Sequence, residues 1–140
     1  MKCVYCGNVT KVVNSRHQKK ANQVWRRRKC QKCKAVFTTL EVVDTSLALR
    51  VKRNKRFKPF SRDILLLSVY DSLRHRKTAM RDATELTGTI LSHLYPNITN
   101  ATLERDDIVE VTASTLQRFD NVAAVHFLAF HPKGSATKTP

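Results

Sequence analysis

The sequence predicts an α+β chain in two parts, a small N-terminal β module followed by a body of three or so helices with a small sheet. Three observations carry this reading. All four cysteines lie within the first 33 residues, in two pairs of the form C-x2-C. Residues 1–60 hold 17 Lys and Arg against 2 Asp and Glu, whereas residues 61–140 hold 9 against 9. Short β-branched and aromatic runs fill the first part, and apolar residues at helical spacing fill the second.

The cysteine pairs, Cys3/Cys6 and Cys30/Cys33, are 23 residues apart and leave no thiol over. A C-x2-C turn brings two sulfurs within reach of one ion, and two such turns supply the tetrahedral thiolate cage that Zn2+ favours in structural sites. A module of this size buries too little apolar surface to offset its chain entropy, so a metal is also energetically needed. Four thiolates leave the ion no open position for water, which argues against a hydrolytic centre. His17, between the pairs, is expected on the surface or facing a polyanion.

Three strands are expected in this module, over residues 10–16, 23–29 and 35–42, which makes it a zinc ribbon. In the middle strand, alternation sends Trp25, Arg27 and Lys29 to one face and Val24, Arg26 and Arg28 to the other. Like charges stacked on a strand destabilise it unless something neutralises them, and nucleic-acid phosphates are suited to that. Arg16, Trp25, Arg26, Arg27, Arg28 and Lys29 are the candidate contacts to nucleic acid, whether double-stranded DNA or RNA. Trp25 is expected either beside Phe37 in a small core or against sugar.

Beyond the ribbon, residues 47–53 alternate like a strand, and residues 54–60 form a basic turn ending at Pro59 and Phe60. Ser61 can cap a helix reaching to about Arg76. A second helix carries Met80, Ala83, Leu86, Thr87, Ile90, Leu91 and Leu94 at a 3.6-residue period and stops before Pro96. A third is expected over residues 105–119. Residues 122–130 read as a closing strand. The domains are accordingly 1–46, 47–131 and a disordered tail, 132–140. The cations from Arg50 to Lys58, on a strand and turn leading into a helix N-terminus, suit a phosphate.

No apolar run resembles a signal peptide or spans a membrane, the longest being of four residues, as at 64–67, so no membrane partner and a cytoplasmic location are expected. No G-x4-G-K-[ST] loop is present and the chain has 3 glycines, which disfavours a nucleotide-hydrolysing enzyme.

The segments "MKCVYCGN", "RRRKCQKCKAVFTTLEV", "LRVKRNKRFKPFSRDIL" and "DNVAAVHFLAFH", in that order, resemble the bacterial NrdR family of transcriptional repressors of ribonucleotide reductase genes. The likeness covers residues 1 to about 131. It implies a zinc ribbon followed by an ATP-cone domain, zinc held by the four cysteines, and DNA contact through Arg26 to Arg28. It also implies ATP or dATP as regulatory ligands that change the state of a homo-oligomer. Carried over by position, the nucleotide site comprises Val51, Lys52, Arg53, Asn54, Phe60, Arg76 and His131, with Lys55 or Arg56 from the adjacent turn substituting for the phosphate contact of a lysine usual in the family. The chain departs from the family pattern at Ile64, where a lysine is usual, at Lys55, where the turn glycine is usual, and at His131, where an aromatic is usual.

The expected protein is therefore a zinc-dependent, nucleotide-regulated DNA-binding repressor that catalyses no reaction. The alternative is a structural zinc-ribbon RNA-binding protein without nucleotide regulation.

Overall fold

The computed structural model describes residues 1–19 and 22–134, with backbone alone at residues 46 and 47. It divides into two compact units, Met1–Val43 and Asp44–Pro140.

The first unit is an antiparallel meander of β1 (Thr10–Gln18), β2 (Gln23–Cys30) and β3 (Val36–Val42), with β2 central. Before β1, Lys2 bridges to Val9, so the first cysteine turn folds back onto the chain. Among the described residues of this unit the fully buried ones are Cys3, Thr10 and Cys30. No aliphatic core exists there.

The second unit begins with one helical turn, α1 (Thr45–Ala48), where an extended strand was expected over residues 47–53. The Leu49 amide donates to the Thr45 carbonyl and closes that turn, so extended pairing starts only at β4 (Arg50–Arg53). β4 pairs antiparallel with β5 (Arg56–Pro59) and parallel with β6 (Thr102–Glu104). The expected basic turn is thus a hairpin. Asn54 takes its left-handed position, at φ 55°, whereas Lys55 lies outside that region, so a side chain at the usual glycine position brings no backbone strain.

Ser61 caps α2 (Arg62–Ser72), its hydroxyl accepting from the Ile64 amide at 3.3 Å. This helix ends four residues short of the expected Arg76, and Leu73 is turned into the core. α3 (Ala79–Leu94) buries Ala83, Thr87, Ile90, Leu91 and Leu94 at the expected period and stops at a single 3-10 turn containing Pro96. Met80, expected on that face, is instead exposed. α4 (Arg105–Phe119) matches its expected bounds.

Residues 122–130 are not a strand. They form α5 (Asn121–Phe130), which packs Ala123, Ala124 and Phe127 into the core formed with Leu65, Val69, Leu103, Val109 and Leu116. The burial interval of one and then three residues is helical; alternation would have buried every second residue. Asp120 explains the change of direction. Its backbone closes α4, and its Oδ1 accepts from the Val122 and Ala123 amides at 3.0 and 3.1 Å, capping α5. The unit therefore contains four helices of ten or more residues rather than three. Residues 132–134 lie along α4, with Lys133 Nζ 3.1 Å from Glu110 and the Gly134 amide donating to Asp106. The rest of the expected tail falls outside the described residues.

Arg76 ties the helix ends together. Its Nε donates to Asp82 at 3.0 Å, its Nη1 donates to Asp120 at 3.2 Å, and its guanidinium lies 4.7 Å over the Phe119 ring. His75 Nε2 meets the same Asp120 oxygen at 2.9 Å. The His75 bond is the strongest influence holding the Asp120 carboxyl at about 2, and the Ala123 amide and Arg76 add to it against the opposing effect of burial. An unfolded aspartate titrates near ~3.9, so Asp120 contributes stability that is complete above about pH 4 and lost as pH falls through about 2. Asp120→Asn keeps a capping oxygen but loses the charge. We expect it to be less stable than the wild type by about 1–2 kcal/mol at pH 6, with the gap in melting temperature closing as thermal melts are taken towards pH 2.

Candidate functional site

The four sulfurs converge at one end of the ribbon. Cys3 and Cys33 Sγ are 3.7 Å apart, Cys6 and Cys30 Sγ 3.5 Å, and all four lie within 4.8 Å of one another. A tetrahedral ion with Zn–S bonds of ~2.3 Å sets sulfur separations of about 3.8 Å, so the donor set fits zinc. Two turns of similar form build this cage. In each, the residue after the second cysteine adopts the left-handed conformation: Gly7 at φ 69° and Lys34 at φ 61°. Cys3 donates its amide to Asn8 and Cys30 donates to Ala35, at 2.7 and 2.9 Å, closing the turns.

Sulfurs this close cannot all ionise without a cation among them. Burial pushes the Cys30 thiol up, but the Cys33 and Lys32 amides and the neighbouring thiols outweigh it and bring it to about 6. At Cys33 the Ala35 amide acts downward, and the Cys6, Cys30 and Cys3 sulfurs together with burial raise it to about 12. A divalent ion removes that conflict and supplies structure without an open coordination position.

The pairing register separates the six candidate DNA contacts into two sets. Trp25 lies opposite Arg16 and Leu40, Arg27 opposite Asn14 and Thr38, and Lys29 opposite Lys11 and Val36, which puts these side chains on one face. Arg27 and Lys29 are exposed, and Arg16 sits 6.0 Å over the Trp25 ring. The opposite face holds Arg26 and Arg28, both half-buried and engaged. Arg26 forms an ion pair with Glu41 through Nε and Nη2 at 3.1 and 2.9 Å, and Arg28 Nε donates to Thr39 Oγ1 at 3.1 Å. Glu41 is the sole acidic residue among residues 1–43. Part of the stacked charge is thus neutralised within the sheet. Trp25 does not sit beside Phe37, because Phe37 opposes Arg28 on the other face.

In the second unit an open cleft of about 940 Å³ gathers seven of the nine candidate nucleotide residues: Val51, Arg53, Asn54, Lys55, Arg56, Phe60 and His131. Strand alternation accounts for the selection. Val51 and Arg53 pair with Lys58 and Arg56 and share the cleft side, whereas Lys52 turns to the other side of β4 and binds Glu104 at 2.7 Å. Arg76 is likewise not a lining residue, since it is committed to Asp82 and Asp120. Lys58, one of the cations of the basic turn suited to a phosphate, also lines the cleft, as does Arg105, which no motif indicated. Arg105 opens α4, where a cation opposes the helix dipole, and that misfit was the available signal that its charge serves something else. Five cations and no carboxylate line the cleft, over an apolar floor that includes Leu65, Val109 and Phe127. Ile64, in place of the usual lysine, adds to the apolar lining.

Among the described residues no helix is long and apolar enough to cross a membrane. Residues 1–41 match the family described as "Transcriptional repressor NrdR-like, N-terminal domain". Proteins named transcriptional repressor NrdR are similar along nearly the whole chain. That of Afipia carboxidovorans is 33% identical over 94% of this chain and 83% of its own length. That of Symbiobacterium thermophilum is 33% identical over 94% and 87%, and that of Acetivibrio thermocellus 30% identical over 94% and 87%. These are names of repressors and not of enzymes.

We expect freshly purified protein to hold one zinc per chain by elemental analysis. Cys30→Ser should lose the metal and the ribbon's amide protection in hydrogen exchange, while the helical signal in circular dichroism, which comes from the second unit, is retained.

Proposed function

The chain belongs to the NrdR family of transcriptional repressors, and we propose that it grips duplex DNA with the acid-free face of its zinc ribbon, under control of an adenine nucleotide bound in the cleft of its second unit. By the family resemblance, its targets are ribonucleotide reductase genes.

The observation that carries this reading is the division of cations by the central strand. One face presents Arg16, Arg27 and Lys29, together with Lys11 from the neighbouring strand, and no carboxylate; the other binds its arginines to Glu41 and Thr39. An unneutralised cationic face beside a half-buried Trp25 suits a phosphate backbone, with Arg27 also able to reach a base edge. Arg26 and Arg28 then serve chiefly to hold the sheet. The cleft supports the nucleotide part of the reading, since a cationic rim above an apolar floor complements a molecule that is polyphosphate at one end and a flat ring at the other. Nucleotide acts as a switch by binding one assembly more tightly than another. A second copy of the chain is the partner that α5 favours: Val122 and Val125 on its outer face are 65% and 63% exposed, and the helix carries no Asp, Glu, Lys or Arg.

Fluorescence anisotropy with a labelled duplex tests the first half. Arg27→Ala and Lys29→Ala should each weaken binding across all sequences and reduce the slope of log affinity against log salt by about 0.9. Arg28→Ala should lower ribbon stability and leave that slope unchanged. A wild-type slope near zero would contradict the electrostatic contact. Calorimetry with ATP and dATP tests the second half. Arg53→Ala combined with Arg56→Ala should weaken binding roughly tenfold or more, whereas Lys52→Ala should change it less than about twofold. Light scattering on the same samples should record a nucleotide-dependent mass.

A further inference from the structure

The cleft contains one group whose charge is free to follow its occupant. His131 follows the last residue of α5 and lines the cleft, with its ring 4.6 Å from that of Phe127 and its own amide donating to the Phe127 carbonyl. Arg105 of α4 lines the same cleft, with its Nη1 donating to the Pro132 carbonyl at 3.0 Å and lying 3.4 Å from Asp106. Across the opening, the β4–β5 hairpin contributes Arg53, Lys55, Arg56 and Lys58. No carboxylate lines the cleft, and Asp106, beside Arg105, is engaged by Arg105 and the Gly134 amide. The C-terminal carbonyls of α5 are the other feature that favours a cation there. Burial is the main influence that lowers the proton affinity of the imidazole, and the positive charge of Arg105 adds to it.

An entering polyphosphate reverses this balance. It brings several negative charges among five cations, and a protonated imidazole then gains an acceptor that offsets the repulsion of those cations. We propose that nucleotide enters this cleft together with a proton from solvent, His131 becoming a cationic phosphate ligand beside Arg105. The proposal rests on the nucleotide reading above and adds to it the protonation state of the bound site. Affinity for nucleotide then rises as pH falls from 8 towards 6, and the site responds to acidity as well as to nucleotide concentration.

The test is calorimetry of the full zinc-loaded chain with ATP between pH 6 and 8, in buffers of different ionisation enthalpy, comparing the wild type with His131→Asn. The terminal phosphate of ATP titrates in the same range, so the difference between the two proteins is the readout. We expect the wild type to take up more protons per ATP bound than the variant and to gain roughly fivefold or more in affinity over it between pH 8 and pH 6. Equal proton uptake and parallel affinity profiles would overturn the proposal and leave the nucleotide reading intact. Absence of ATP binding by the wild type at every pH would remove that reading, and the proposal with it. The His131 imidazole resonances of the wild type give an answer that does not depend on the variant folding. Saturating ATP should move their titration midpoint upward, and an unmoved midpoint would refute the proposal.

Discussion

The convergence of four sulfurs is the constraint on which the N-terminal unit depends. Its described residues bury no aliphatic or aromatic side chain fully; the buried positions among them are two of the cysteines and Thr10. Val4, Tyr5, Val9 and Leu40 are all more than half exposed. Such a chain cannot offset its conformational entropy by apolar burial. The sulfur cage takes the place of a core, and metal binding becomes the folding free energy of the ribbon. This explains how the unit tolerates 11 Lys and Arg against Glu41 alone. A bonded cage carries the stability, which frees the strands from hydrophobic duty and allows them to present charge on both faces.

In the second unit the stabilising and cleft-facing cations are kept apart by backbone geometry. On β4 the period of two assigns Lys52 to Glu104 and Arg53 to the cleft, although the two are adjacent in sequence and chemically alike. At the far ends of the helices, Arg76 is bound by two aspartates and a ring, and its charge is neutralised within the protein. Among the cleft cations Arg105 lies 3.4 Å from Asp106, but no carboxylate lines the cleft itself. The same residue type therefore has opposite meanings in the two places, and how fully carboxylates claim its charge decides between them.

These contrasts set what the sequence discloses. The cysteine spacing is a local signal backed by a stringent geometric requirement, and it identifies the ligand set without knowledge of the fold. α3 and α4 are legible because their apolar period is sustained over fifteen or more residues. α5 is not, because a ten-residue helix that is apolar all round has no period, and its valines and phenylalanines suit a buried strand equally well. Asp120 before "NVAA", with three alanines in the run, was the cue for a capped helix. Lys52 and Arg76 illustrate a different limit. Positional likeness to a family places them in the nucleotide site, but the partners that claim them, Glu104 and Asp120, lie 52 and 44 residues away and come close only in the folded chain.

On the proposed reading, a ribbon that meets DNA through four cations of one face would bind weakly and with steep salt dependence, since each phosphate contact releases a counterion and adds little sequence preference. Specific repression by so small a head would then call for several heads on one duplex, where linked binding raises avidity without new contacts, provided their spacing suits the helix. That spacing is a property of the assembly. A ligand in the second unit consequently need not deform the ribbon at all to change its grip on DNA. It has only to favour one arrangement of copies over another, and by linkage the DNA must favour the same ligand state in return. The uncharged outer face of α5 and the polyanion-seeking cleft belong to the same compact unit, with α5 supplying Phe127 to the cleft and Val125 to solvent. On the proposed reading, one helix would touch both the ligand and the surface through which copies of the chain would meet, which is the shortest physical route by which nucleotide could govern assembly.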